Sequence, residues 1–96
     1  MKGVITIRKD GSNNLKARKI LANNIVYFRL KCGWSQEDFA EELGTTPTYV
    51  SNLENAKKNT SIDYIGYIAD TLGVSLPDLF FERDYIKNHR VPRKGR

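Results

Sequence analysis

Between Gly44 and Asn59 the chain reads GTTPTYVSNLENAKKN, and its neutral polar side chains are spaced to share one side of a helix. At about 100° per residue, Asn55, Thr48 and Asn52 fall within about 60° of one another with Ser51 flanking them, while Val50 and Leu53 lie opposite. An ordinary solvated face would carry Glu and Lys there. Asn can bond an adenine edge bidentately, Ser and Thr hydroxyls can bond several base edges, and Thr methyls pack on thymine methyls. The set therefore has the chemistry for reading a DNA major groove. The same residue types also make a wetted polar surface of middling helix propensity, and pattern alone leaves both readings open.

A presented front needs an anchored back, and the neighbouring residues supply one. Ser35 with Asp38 three residues on reads as a capping box, which predicts a helix from Gln36 to about Leu43, stopped by Gly44. Thr46 caps the next helix and Pro47 takes its first position, where the missing N–H is harmless and the fixed φ already suits a helix. That helix is short, ending near Glu54 or Asn55. Only Gly44, Thr45 and a cap join the two, which forces a sharp crossing. Such a joint needs a small residue at the close approach, supplied by Ala40, and a positive φ at the turn, permitted by Gly44. Val50 and Leu53 then pack the second helix on the first.

The rest of the chain is legible as support for that pair. Leu21, Ile25 and Phe28 recur at helical spacing in a first helix from about Leu15 to Cys32, with Ala17, Val26 and Leu30 beside them. A fourth helix, with Thr60 and Asp63 as its cap pattern, turns Ile62, Ile65, Ile68, Ala69 and Leu72 inward and stops at Gly73. Ser75 and Asp78 cap a fifth, whose Leu76, Leu79, Phe80 and Phe81 form an apolar face. The predicted fold is all-α with five helices over 15–82. Residues 1–14, with GVITI followed by DGSNN, form either a short strand or an N-terminal arm. Residues 83–96 form a basic tail, expected to fray beyond Glu82.

Ninety-six residues suit one domain with a modest core, to which dimerisation would add. Sixteen Lys and Arg against eleven Asp and Glu favour polyanionic partners without identifying one. A single cysteine, Cys32, excludes an intrachain disulfide and fits a reducing cytoplasm, and with one histidine, His89, no zinc set can be assembled. No apolar run approaches the roughly 20 residues of a membrane span. No phosphate loop, nucleophile elbow or paired carboxylates point to an enzyme, and no cofactor or small-molecule ligand is implied.

Gln36, Ala40, Gly44, Val50 and Leu53, within WSQEDFAEELGTTPTYVSNLENAKKN, resemble the helix-turn-helix of the phage Cro and repressor family, also called the XRE family. The resemblance covers about Leu21 to Phe81. It implies a lambda-repressor-like domain that regulates transcription as a homodimer on double-stranded DNA at a two-fold symmetric operator. Gln36 matches the position that grips a phosphate through its side chain and backbone N–H, a use of helix N-termini that makes physical sense. Thr46 matches a phosphate contact, and Thr48 and Asn52 match base contacts. Asn55, Lys57 and Lys58 match the loop that follows the DNA backbone. Glu54 matches a position that pairs with an arginine corresponding to Arg29.

Two departures stand out. Pro47 replaces a glutamine that reads a base in many relatives, so direct readout there is either lost or replaced by Thr48 and Tyr49, with Ser51 beside them. Ala56 stands where glycine is common. Leu79, Phe80 and Phe81 match the last helix, which forms the dimer interface in many relatives, although core packing accounts for them nearly as well. Small size and the segment NTSIDYIGYIADTLGVSLPDLFF look like restriction-modification controller proteins, and a small phage or mobile-element repressor fits about as well. The rival expectation is an antitoxin or mobile-element protein whose DNA binding is coupled to a protein partner through the tail or the GVITI arm.

Overall fold

Asn14 opens the described part of the chain, its side chain accepting a hydrogen bond from the Ala17 N–H and starting α1, Leu15–Lys31. The structure is a computed structural model that describes residues 14–84. Four more helices follow: α2, Gln36–Leu43; α3, Pro47–Glu54; α4, Ile62–Leu72; and α5, Leu76–Phe80. No strand occurs among the described residues. The expected GVITI arm and the tail residues Lys87, Arg90, Arg93, Lys94 and Arg96 lie outside them.

The α2–α3 joint follows from local bonds. Ser35 Oγ accepts from the Asp38 N–H and Asp38 Oδ2 accepts from the Ser35 N–H, each at 3.0 Å, completing the capping box. Gly44 closes α2 at φ 78°, a left-handed conformation that a side chain disfavours, and the Thr45 N–H returns to the Ala40 carbonyl at 2.8 Å. Thr46 Oγ1 then accepts from the Tyr49 N–H at 3.1 Å, with Pro47 in the first turn of α3.

One core lies under these elements. Ile25 of α1, Phe39 and Ala40 of α2, Val50 and Leu53 of α3, Ile68 of α4 and Leu79 of α5 are all buried in it. Each large apolar side chain so placed contributes about 1.5–3 kcal/mol relative to exposure. α1 packs on α3 and α5, α2 on α3 and α4, and α4 on α5, so the short α3 is backed by α1 and α2 together. Trp34, in the loop before α2, stacks on Phe39 with ring centroids 5.9 Å apart and packs against the core.

Three expectations need correction. α4 is capped by Ser61, whose Oγ accepts from the Tyr64 N–H at 3.1 Å, and not by Thr60. That one-residue shift moves Asp63 out of capping-box register, and Ile62, expected inward, is the first residue of α4 and 67% exposed. On α5, only Leu79 points inward. At 0% exposure it is a core residue of the single chain and leaves the expected dimer face, whereas Phe80 and Phe81 are exposed.

Fraying does not begin at Glu82 either. The buried Asn24 donates to the Leu79 carbonyl at 2.8 Å and the Phe81 carbonyl at 2.9 Å, and Asn23 donates to the carbonyls of Arg83 and Asp84. Arg83 Nε donates to Asn24 Oδ1, and its guanidinium lies 4.3 Å from the Tyr27 ring centroid. Residues 81–84 are thus strapped to α1.

Candidate nucleic-acid interface

The back of α3 is fixed twice, by packing and by charge. Val50 and Leu53 are buried in the core. Glu54, whose carboxylate would repel phosphates on the front, is turned inward to Arg29. Arg29 Nε meets Glu54 Oε2 at 2.6 Å and Nη2 meets Oε1 at 3.0 Å, with both side chains wholly removed from solvent. Arg29 Nη1 also donates to the Trp34 carbonyl at 2.8 Å. A bidentate pair with its remaining groups satisfied can survive burial, whereas removing one partner leaves an uncompensated ion.

Gln36 joins this network, because its Nε2 donates to Glu54 Oε1 at 2.9 Å. A carboxylate only accepts, so the sense of the amide is determined: nitrogen toward Glu54. One of its two N–H groups is engaged there, and the backbone N–H at the start of α2 is a second donor available to an anion.

The front divides into engaged and unengaged side chains. Thr48 is exposed and Asn52 half-buried, and neither side chain makes a hydrogen bond among the described residues. Ser51 is partly occupied, since Asn55 Nδ2 donates to its carbonyl at 2.8 Å and to its Oγ at 3.3 Å. Thr46 is the cap of α3, and its hydroxyl hydrogen remains free to donate.

Tyr49 is only half-exposed. Its ring meets Tyr64 edge-on at 5.8 Å and carries the Lys58 ammonium 5.0 Å above its centroid. Tyr64 in turn packs on Tyr67, whose hydroxyl donates to the Leu43 carbonyl at 2.9 Å. Burial, with the neighbouring phenols of Tyr49 and Tyr67, pushes the Tyr64 hydroxyl above the ordinary tyrosine range. Lys57, Lys58 and Asn55 lie on the loop that leaves α3. The loop turns at Ala56, which has φ 61° and is a non-glycine residue in the left-handed region.

The sequence alone did not reveal the Tyr49–Tyr64–Tyr67 cluster or the placement of Gln36 on Glu54. The tyrosine spacing of three between positions 64 and 67 was a usable signal, whereas the bond between α2 and α3 spans eighteen residues and has none. Among the described residues, no group of His, Cys, Asp and Glu could hold a metal ion, and no helix is long and apolar enough to cross a membrane. Cys32 is exposed, and partial burial of its thiol raises its pKa, away from thiolate chemistry.

Known proteins match this arrangement. The helix-turn-helix family model covers residues 25–79, from within α1 to α5. A hypothetical transcription factor of Neisseria meningitidis is 35% identical over 71 residues, 74% of this chain and 67% of that protein. The crystal structure of the Neisseria hypothetical transcription factor NHTF superposes with a TM-score of 0.64 at 36% identity, covering 72% of this chain and 80% of that one. Control protein C.BamHI of Bacillus amyloliquefaciens is 36% identical over 69 residues, 71% of this chain and 83% of that protein. The restriction-modification controller protein C.AhdI of Aeromonas hydrophila superposes with a TM-score of 0.63 at 26% identity, covering 69% and 96% of the two chains. With the family model spanning more than half of its length and the α2–Gly44–α3 joint built as described, the chain belongs to the XRE-type helix-turn-helix family, a family of transcription regulators and not a class of enzymes.

Proposed function

We propose that this chain is a sequence-specific, cytoplasmic regulator of transcription that binds double-stranded DNA as a homodimer, laying α3 of each copy in successive major grooves of a two-fold symmetric operator. Half-sites then lie about one helical turn apart. The observation that carries this reading is α3 itself: anchored by Val50, Leu53 and the buried Glu54, it presents Thr48 and Asn52 with their polar groups unengaged. Thr48 and Asn52 read bases with Ser51 at their flank. Gln36, Thr46, Asn55, Lys57 and Lys58 meet phosphates, and Phe80 and Phe81 supply the apolar surface between copies. Relatives named control proteins and the neighbour described as a restriction-modification controller protein support a controller-type role.

Selection of bound sequences from a random duplex pool, followed by binding at several salt concentrations, tests the reading. A two-fold symmetric consensus with a steep salt slope is expected. Enrichment no greater than background would sink it.

A further inference from the structure

Tyr49 has the sequence position of a base reader, but its ring is committed elsewhere. One edge contact is Tyr64, and one face carries the Lys58 ammonium. Lys58 follows α3 by four residues, yet its Nζ has folded back over a residue of the helix's first turn, against the direction in which the chain is leaving. The left-handed turn at Ala56 is what reverses the loop. The Tyr49 N–H is bound by Thr46, so the hydroxyl of the α3 cap and the Lys58 ammonium are both anchored on the same residue.

We propose that Tyr49 is a positioning residue for DNA binding, whose ring holds the Lys58 ammonium beside the first turn of α3, so that this lysine meets the phosphate flanking the groove instead of sweeping freely. This rests on the DNA-binding reading above and assigns Tyr49 a role different from base contact. A lysine is a flexible point charge, and ordering it on a phosphate costs side-chain entropy that a pre-held one has already lost on folding. The ring attracts the ammonium through its quadrupole and leaves the N–H donors on the far side free for phosphate oxygens. Lys57, exposed and with no ring beneath it among the described residues, is the internal comparison.

The test measures affinity for the selected operator and for a scrambled duplex, at several salt concentrations, with Lys58→Ala, Tyr49→Phe, Tyr49→Leu and the Tyr49→Leu/Lys58→Ala double variant. Lys58→Ala should lower the magnitude of the salt slope by about 1.8, the loss of one phosphate contact from each of the two copies. Tyr49→Leu should weaken both duplexes alike by about two- to fivefold and shift the slope the same way. Tyr49→Phe should behave as wild type, and the double variant should bind no worse than Lys58→Ala.

A loss from Tyr49→Leu confined to the operator would make Tyr49 a base reader, and additive effects in the double variant would separate it from Lys58; either overturns the proposal. An unchanged slope in Lys58→Ala would also overturn it, while the DNA-binding reading would stand on the wild-type data. Wild-type binding without salt dependence would fail that reading itself, and the proposal with it. Should Tyr49→Leu fail to fold, the proton spectrum of the unaltered chain decides: ring-current shifts on the Lys58 methylenes are expected, and ordinary lysine shifts would refute the contact.

Discussion

At the scale of single residues, the roles proposed for Asn52 and Lys57 separate specificity from affinity. Asn52 presents an amide with no partner among the described residues, suited to one base edge, whereas Lys57 is an exposed charge that any phosphate satisfies. Asn52→Ala should relax preference at one base pair per half-site and cost about 1–3 kcal/mol of specific binding, while Lys57→Ala should weaken all sequences alike. Quantitative binding to a set of single-base operator variants checks both, and a uniform loss from Asn52→Ala would remove it from the readers. Thr48 and Asn52 were legible from phase alone, because a helical period places them on one side. Arg29 was not: its partner lies 25 residues away, and phase says only that Glu54 is off the front. The pairing came from the resemblance.

Among elements, the α1–α3 brace and the loop after α3 make opposite contributions. Arg29→Ala strands the Glu54 carboxylate in a dry site and frees the Gln36 amide from its acceptor's fixed position. A loss of about 3–5 kcal/mol is expected in urea unfolding. Replacing Arg29 with Met and Glu54 with Leu together should recover most of it, because the uncompensated charge is gone. The loop carries a small strain in the other direction. Ala56 sits at φ 61° with its methyl buried, so Ala56→Gly relieves about 1–2 kcal/mol of backbone strain but loses a similar amount through the freer unfolded chain and the lost methyl burial, and the melting temperature should stay within about a few degrees of wild type.

Local chemistry explains why the elements themselves were readable. Ser35 with Asp38, Thr46 with Pro47 and Gly44 act within a few residues, so composition and position suffice. Thr60 and Ser61 are both good caps one residue apart, and only packing of the α4 face decides between them. The strap made by Asn23 and Asn24 uses side-chain amides and distant carbonyls, about 60 residues away, and leaves no pattern in the chain.

Considered as a whole molecule, the chain exposes Phe80 and Phe81 next to the strapped segment 81–84, while Leu79 is sealed within. In the proposed dimer those two rings are the apolar surface that two copies would cover. Phe80→Glu with Phe81→Glu should therefore leave helical content unchanged but shift sedimentation equilibrium toward the monomer and weaken operator binding. An unaltered association state would place the contact elsewhere.

α1 carries both attachments: Asn24 holds the α5 end, and Arg29, five residues or about 7.5 Å further along, holds α3. The rod between them has no hinge, so the proposed dimer would behave as a caliper of fixed jaw width. Inserting one base pair between half-sites moves the second by about 3.4 Å and rotates it by about 35°. A caliper cannot follow both, so such a spacer change should weaken binding more than any single base substitution within a half-site.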